Sequence, residues 1–123
     1  MENYKYFKLS EFRTIGMDNG NKIDKDFVAI LDSMRAEFGK PMRVTSGYRT
    51  KEYNEDLIKR GYAASPTSSH LKGVAADISC TNSKDRIRLI EIAIKHNIRR
   101  IGVAHNFLHF DDDKDKPIAC WTY

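Results

Sequence analysis

The sequence predicts an α+β fold in which an antiparallel sheet packs against helices, over residues 1–123 as a single domain. Three observations carry that expectation. Residues 24–38 and 50–60 set apolar side chains three and four apart between capping and stopping residues, as helices with one buried face do. Residues 73–79, 98–103, 107–111 and 118–123 read as strands, so helices come early and strands late. The 123 residues suffice for one core, and no linker, repeat or low-complexity stretch divides them.

The elements follow in order. In Leu9-Ser10-Glu11-Phe12, Ser10 can cap a short helical turn, and 16–21 is a Gly/Asn/Asp loop. Asp24 caps a helix to Phe38 whose buried stripe is Phe27, Ile30, Leu31, Met34 and Phe38; Gly39 and Pro41 stop it. Met42 to Thr45 is a short strand running into Ser46-Gly47-Tyr48-Arg49. Thr50 caps a second helix to Arg60, with Tyr53, Leu57 and Ile58 inward, and Gly61 ends it. Residues 61–69 form a loop of the kind that carries sites. Along 73–79, Val74, Ala76 and Ile78 alternate with Ala75, Asp77 and Ser79, which turns Asp77 away from the core. Ser83 caps a third helix, 84–96, with Ile87, Ile90, Ala93 and Ile94 buried, Asn97 at its end and His96 favourable with the helix dipole. The last three strands close the chain around an acidic turn, 112–117.

The bulk composition narrows the function. At 41% hydrophobic and 31% charged, this is a globular composition, and no apolar run approaches the ~20 residues a membrane span needs. Met1-Glu2-Asn3-Tyr4-Lys5 lacks the apolar core of a signal peptide, so the expectation is a cytoplasmic product, or one released by another route. The net charge of +4 suits a mildly basic surface or an anionic polymer, but no basic run or helix-turn-helix pattern favours nucleic acid. Cys80 and Cys120 are far apart and outside any CxxC; they read as small buried hydrophobes, with one bridge left open. A monomer is expected.

The chemistry gathers in Ser-x-His-x-x-Gly-x-Ala-x-Asp, residues 68–77, and in Leu108-His109-Phe110-Asp111. Imidazole and carboxylate ligate borderline ions such as zinc, and a catalytic zinc takes three protein ligands with a fourth position for water. His70, Asp77 and His109 would supply that set. Arg49, on its turn, is the candidate to stabilise an oxyanion or to clamp a substrate carboxylate; a plain surface arginine is the alternative. Asp111 shares a strand face with His109 and is either the base or the partner that orients a histidine ligand. Ser46, Tyr48 and Ser68 neighbour these groups as substrate contacts. His105 and Asn106 sit just before the strand and are further candidates to reach substrate, His105 with a catalytic role.

Together, Ser46 to Arg49, Ser68 to Asp77 and Phe107 to Asp111 resemble the zinc D-Ala-D-Ala carboxypeptidase family of metallopeptidases. The similarity runs from Phe7-Lys8-Leu9-Ser10-Glu11-Phe12 to Trp121. The resemblance implies a Hedgehog/DD-peptidase fold and a zinc peptidase acting on peptidoglycan stem peptides or cross-links, as carboxypeptidase or endopeptidase. It implies zinc on His70, Asp77 and His109, and substrate on Arg49. Many relatives place an acidic general base three positions before the last histidine. Here that position is Asn106, which takes no proton at neutral pH, so Asp111 becomes the leading substitute. Relatives of this size without a signal peptide are often phage endolysins or virion parts that reach the wall after release. The competing expectation is a non-catalytic zinc module that binds cell wall or a protein partner.

Overall fold

The computed structural model describes residues 4–123; the start of the chain read for an export signal, Met1 to Asn3, lies outside the described residues. Three helices, α1 (Lys25–Phe38), α2 (Lys51–Lys59) and α3 (Ser83–Lys95), accompany five strands. These are β1 (Val44–Ser46), β2 (Ala75–Ser79), β3 (Arg100–Val103), β4 (Phe107–Asp111) and β5 (Ala119–Thr122). Single 3-10 turns occupy Leu9–Phe12, Gly20–Lys22 and Ser69–Lys72.

The strands form one sheet in the order β1-β2-β4-β3-β5. The first four run antiparallel, as the sequence predicts, but β5 joins β3 in parallel. The reason is the connection: residues 112–118 leave the end of β4 and step over the start of β3, so β5 lands on the far side of β3, against β4 in direction and with β3.

One face of the sheet is core. Ala76, Ile78, Ile101, Leu108 and Phe110 pack there with Phe27, Val28, Leu31, Met34 and Phe38 of α1 and Leu89, Ile92 and Ala93 of α3. The α1 boundaries match the sequence reading. Asp24 accepts the Phe27 N–H at 2.9 Å, and Gly39 closes the helix in the left-handed region. Thr50 likewise caps α2 through the Tyr53 N–H.

Other expectations shift. Ser10 lies inside its turn; Glu11 reaches back to the Lys8 N–H instead, at 2.7 Å. Asn82, not Ser83, caps α3. Ile87 and Ile94 are more than half exposed, Ile90 is half-buried, and the buried stripe is Leu89, Ile92 and Ala93. This helix carries two apolar stripes, and contact with α1 selects between them. Ile58 is exposed while Asn54 is buried, because α2 turns a polar residue toward the site. His96 also pairs with Glu37 Oε1 at 3.0 Å, joining the ends of α3 and α1. Both cysteines are free thiols; Cys80 is buried, but Cys120 is exposed on the edge strand. No helix among the described residues is long and apolar enough to cross a membrane.

Candidate metal centre

The other face of the sheet carries the chemistry. One transverse row of paired residues crosses all five strands: Ser46, Asp77, His109, Gly102 and Trp121. Strand alternation puts these side chains opposite the core, over a cleft of about 680 Å³. His70 joins them from the 3-10 turn Ser69–Lys72, which Ser68 caps by accepting the His70 N–H at 3.2 Å. Gly73, left-handed at φ 72°, ends that turn.

His70, Asp77 and His109 converge. His70 Nε2 lies 3.2 Å and His109 Nδ1 3.0 Å from the same oxygen, Asp77 Oδ1, and the three ligand atoms lie within 4.8 Å of one another. All three residues are buried. The outer nitrogens fix the tautomers. His70 Nδ1 lies 2.7 Å from the Gly47 carbonyl, which only accepts, so that nitrogen carries the hydrogen. His109 Nε2 lies 2.6 Å from Asp111 Oδ2, also an acceptor. With neutral rings, two bare imidazole lone pairs and a carboxylate then face one another. Such a set repels itself unless a cation sits among it, so the donor chemistry fits a metal ion.

Without an ion the site holds together differently, with protonated imidazoles donating into the gap. Burial pushes Asp77 up, but the His70 charge and the hydrogen bonds from both histidines outweigh it and hold the carboxyl well below its usual range. Burial lowers His70. Burial would lower His109 too, but the bonds to Asp111 and Asp77 raise it, so that without an ion a proton is drawn into the gap.

Arg49 is buried and held on three sides: Nε donates to Ser46 Oγ at 3.0 Å, Nη1 to Asn54 Oδ1 at 3.3 Å and Nη2 to Asp77 Oδ2 at 3.4 Å. Burial lowers its pKa, and Asp77 opposes that shift. Asn54, absent from the sequence reading, is locked in turn by the Ser65 carbonyl at 2.8 Å. Ser46, Ser68, Arg49 and Asp111 line the cleft with the three ligand candidates.

Other candidates fall outside. Tyr48 is not among the lining residues; its peptide is tied to the N-terminal segment, its N–H donating to the Phe12 carbonyl and its carbonyl accepting from Thr14 Oγ1. His105 and Asn106 are exposed at the β3–β4 hairpin and likewise do not line the cleft. Their backbone carbonyls serve Arg86 and the Cys80 N–H. Asp111 faces the cleft, but its carboxylate already accepts from His109, from Arg100 Nε at 2.8 Å and from the Asp113 N–H at 3.2 Å. It stands behind His109, on the side away from Asp77, where it orients the ring and is poorly placed as base.

The peptidase M15 family profile matches residues 5–111. The chain belongs to the peptidase M15 family. This M15 protein is therefore a metallopeptidase by kinship, and its His-Asp-His cluster suits one. Among solved structures it is similar to the L-Ala D-Glu endopeptidase ChiX of Serratia marcescens, with a TM-score of 0.57 and 16% identity over 74% of this chain and 80% of that one. At that identity the likeness is one of fold. No curated protein matches the M15 chain.

The sequence reading also missed Gly102, Trp121, Tyr53, Leu57, Tyr62 and Tyr123, which line or shape the cleft. A lone glycine within a strand pattern was the available signal for Gly102. Burial, with a contribution from Asp77, pushes the Tyr123 phenol above its ordinary pKa, while Trp121 pulls it down.

Proposed function

We propose that this M15 protein is a zinc-dependent peptidase that cuts peptide bonds in the stem peptides or cross-links of bacterial peptidoglycan. The observation that carries the proposal is the trio of facing lone pairs on His70, Asp77 and His109 at the floor of an open cleft. The substrate class draws support from the family and from the named activity of the Serratia endopeptidase.

In this reading His70 Nε2, Asp77 and His109 Nδ1 hold zinc. The ion, when bound, is a Lewis acid that polarises the scissile carbonyl and acidifies water. The chain's own groups do the rest. The Gly47 carbonyl and Asp111 fix the two ring orientations, so that both lone pairs stay aimed inward. Asn54 and Ser46 hold the Arg49 fork over the floor, where it stabilises charge developing on the carbonyl oxygen or grips a substrate carboxylate. Ser46 and Ser68 add hydroxyls to the lining.

The test is to load the protein with zinc and incubate it with a synthetic stem pentapeptide carrying both an L-Ala–D-Glu and a D-Ala–D-Ala bond. Mass spectrometry of the products identifies the bond cut, and so separates carboxypeptidase from endopeptidase. About one zinc per chain is expected from the three-ligand site. Activity should vanish with chelator and in His70→Ala. A protein that holds full zinc yet releases nothing from pentapeptide or peptidoglycan would overturn the proposal.

One observation favours a second reading, a zinc module that binds wall or a protein partner without cutting. The carboxylates lining the cleft are Asp77 and Asp111, both committed, and the residue three before His109 is the exposed Asn106. Pull-down on peptidoglycan sacculi, scored for binding without release, would support that alternative.

A further inference from the structure

Gly102 sits between His109 and Trp121 in the five-strand row. A Cβ added there would lie 2.6 Å from Trp121 Nε1 and 2.9 Å from Tyr123 Cε2. The bare backbone is what lets the ring of Trp121 on the edge strand and that of Tyr123 just after it fold down over the sheet. The indole then stands 5.3 Å from the His109 ring, and the Tyr123 ring 5.1 Å from Phe107. Arg100 lies against the indole, its guanidinium carbon 5.1 Å from the ring.

Aromatic residues on or beside a strand ordinarily serve a core, but these two do not. Neither belongs to the apolar cluster, which lies across the sheet. Trp121 is half-buried and Tyr123 52% exposed, and both line the cleft that Tyr53, Leu57 and Tyr62 also line. Tyr123 shares the cleft lining with Asp77, His109 and Arg49.

We propose that Trp121 and Tyr123 are substrate-positioning residues: the indole packs against the peptide residue beside the scissile bond, and the Tyr123 hydroxyl donates a hydrogen bond to the scissile carbonyl oxygen. Gly102 is the seat that brings them there. The inference rests on the peptidase reading. An indole face gives a peptide apolar contact with little rotamer entropy to lose. A phenol donor that tightens as charge grows on the carbonyl oxygen acts in the transition state more than in the bound substrate. The two rings therefore affect different kinetic constants.

The experiment uses the zinc-loaded full chain and the stem pentapeptide. Tyr123→Phe should lower kcat about tenfold with KM near wild type, the signature of a bond made in the transition state. Trp121→Ala should raise KM about tenfold with kcat little changed, and Trp121→Phe should recover most of that loss. Gly102→Ala, which removes no side chain, should combine the two effects, raising KM and lowering kcat, because its Cβ meets both rings. Melting temperatures control for folding. Trp121 is the sole tryptophan, so its emission reports the arrival of peptide directly and saturates as the site fills.

A wild type that cleaves, together with variants at wild-type kcat and KM and an emission unmoved by peptide, would overturn the inference and leave the peptidase reading standing. A wild type that cleaves nothing while peptide still saturates the Trp121 emission would overturn catalysis and retain the indole contact. Neither cleavage nor an emission change would overturn both.

Discussion

The two faces of one sheet follow opposite rules. On the core face Ala76, Ile78, Ile101, Leu108 and Phe110 need only be apolar and the right size, and they answer to many neighbours at once. On the cleft face, one residue along each strand, Asp77, His109 and Asp111 answer to single atoms: Asp77 Oδ1 receives two imidazoles, and Asp111 Oδ2 receives one. The backbone ladder is shared, so a strand that keeps its core register also keeps its cleft-face side chains aligned. The core thus supplies position, and the cleft uses it.

The sharpest way to break this division is His109→Ala. Metal binding and hydrolysis should fall to background while the far-ultraviolet circular dichroism stays that of a folded chain. Collapse of the fold would show that the cleft face also carries the structure. Next is Phe110→Ala on the opposite face of the same strand. It should cost about 3–5 kcal/mol of stability in denaturant unfolding, as large-to-small changes in cores do, with near-normal turnover in whatever fraction stays folded.

Asp111→Asn sharpens the comparison. It keeps the shape but removes the charge that holds the His109 tautomer, so zinc affinity should drop about 10- to 100-fold in a chelator competition. An unchanged affinity would mean that the ring orients itself.

The smallest expected effect lies at the cleft's margin, where buried Asp113 accepts Ser69 Oγ at 2.7 Å and Lys72 Nζ at 2.9 Å. Burial raises its pKa, but those bonds prevail and hold it at about 2, below the ordinary 3.8. A carboxyl lowered in the folded state stabilises above its unfolded pKa and loses that contribution as pH falls through its folded one. Asp113→Asn should therefore cost on the order of 2 kcal/mol at pH 7, and the gap to wild type should close between pH 4 and pH 2. A gap that persists at pH 2 would assign the effect to shape, not charge.

What the sequence reveals follows the same division. The bounds of helix α1 were legible because Asp24, Gly39 and one apolar stripe agree, although Val28 joins the buried stripe and Ile30 is only half-buried. Helix α3 was not, since Ile87, Ile90 and Ile94 compete with Leu89, Ile92 and Ala93, and only α1 settles the choice. In the site, the histidines and aspartates announce themselves by type. Asn54, Gly102 and Trp121 are ordinary residues whose importance comes from cross-strand or helix-to-turn neighbours distant in the chain. The misplacement of Tyr48 has the same origin: within Ser46 to Arg49 the outer two residues face the cleft, while the Tyr48 backbone is anchored to Phe12 and Thr14.

Gly73 closes the turn that bears His70, and it does a second thing. Its carbonyl accepts the Asp24 N–H at 2.7 Å, and a Cβ on it would come within 2.6 Å of the Lys22 carbonyl oxygen. The N-cap of α1 is therefore moored to the turn that presents the candidate ligand His70. Heating should draw the imidazole out of line as that helix loosens, and in zinc-loaded protein a chelating dye should register the ion before circular dichroism registers unfolding.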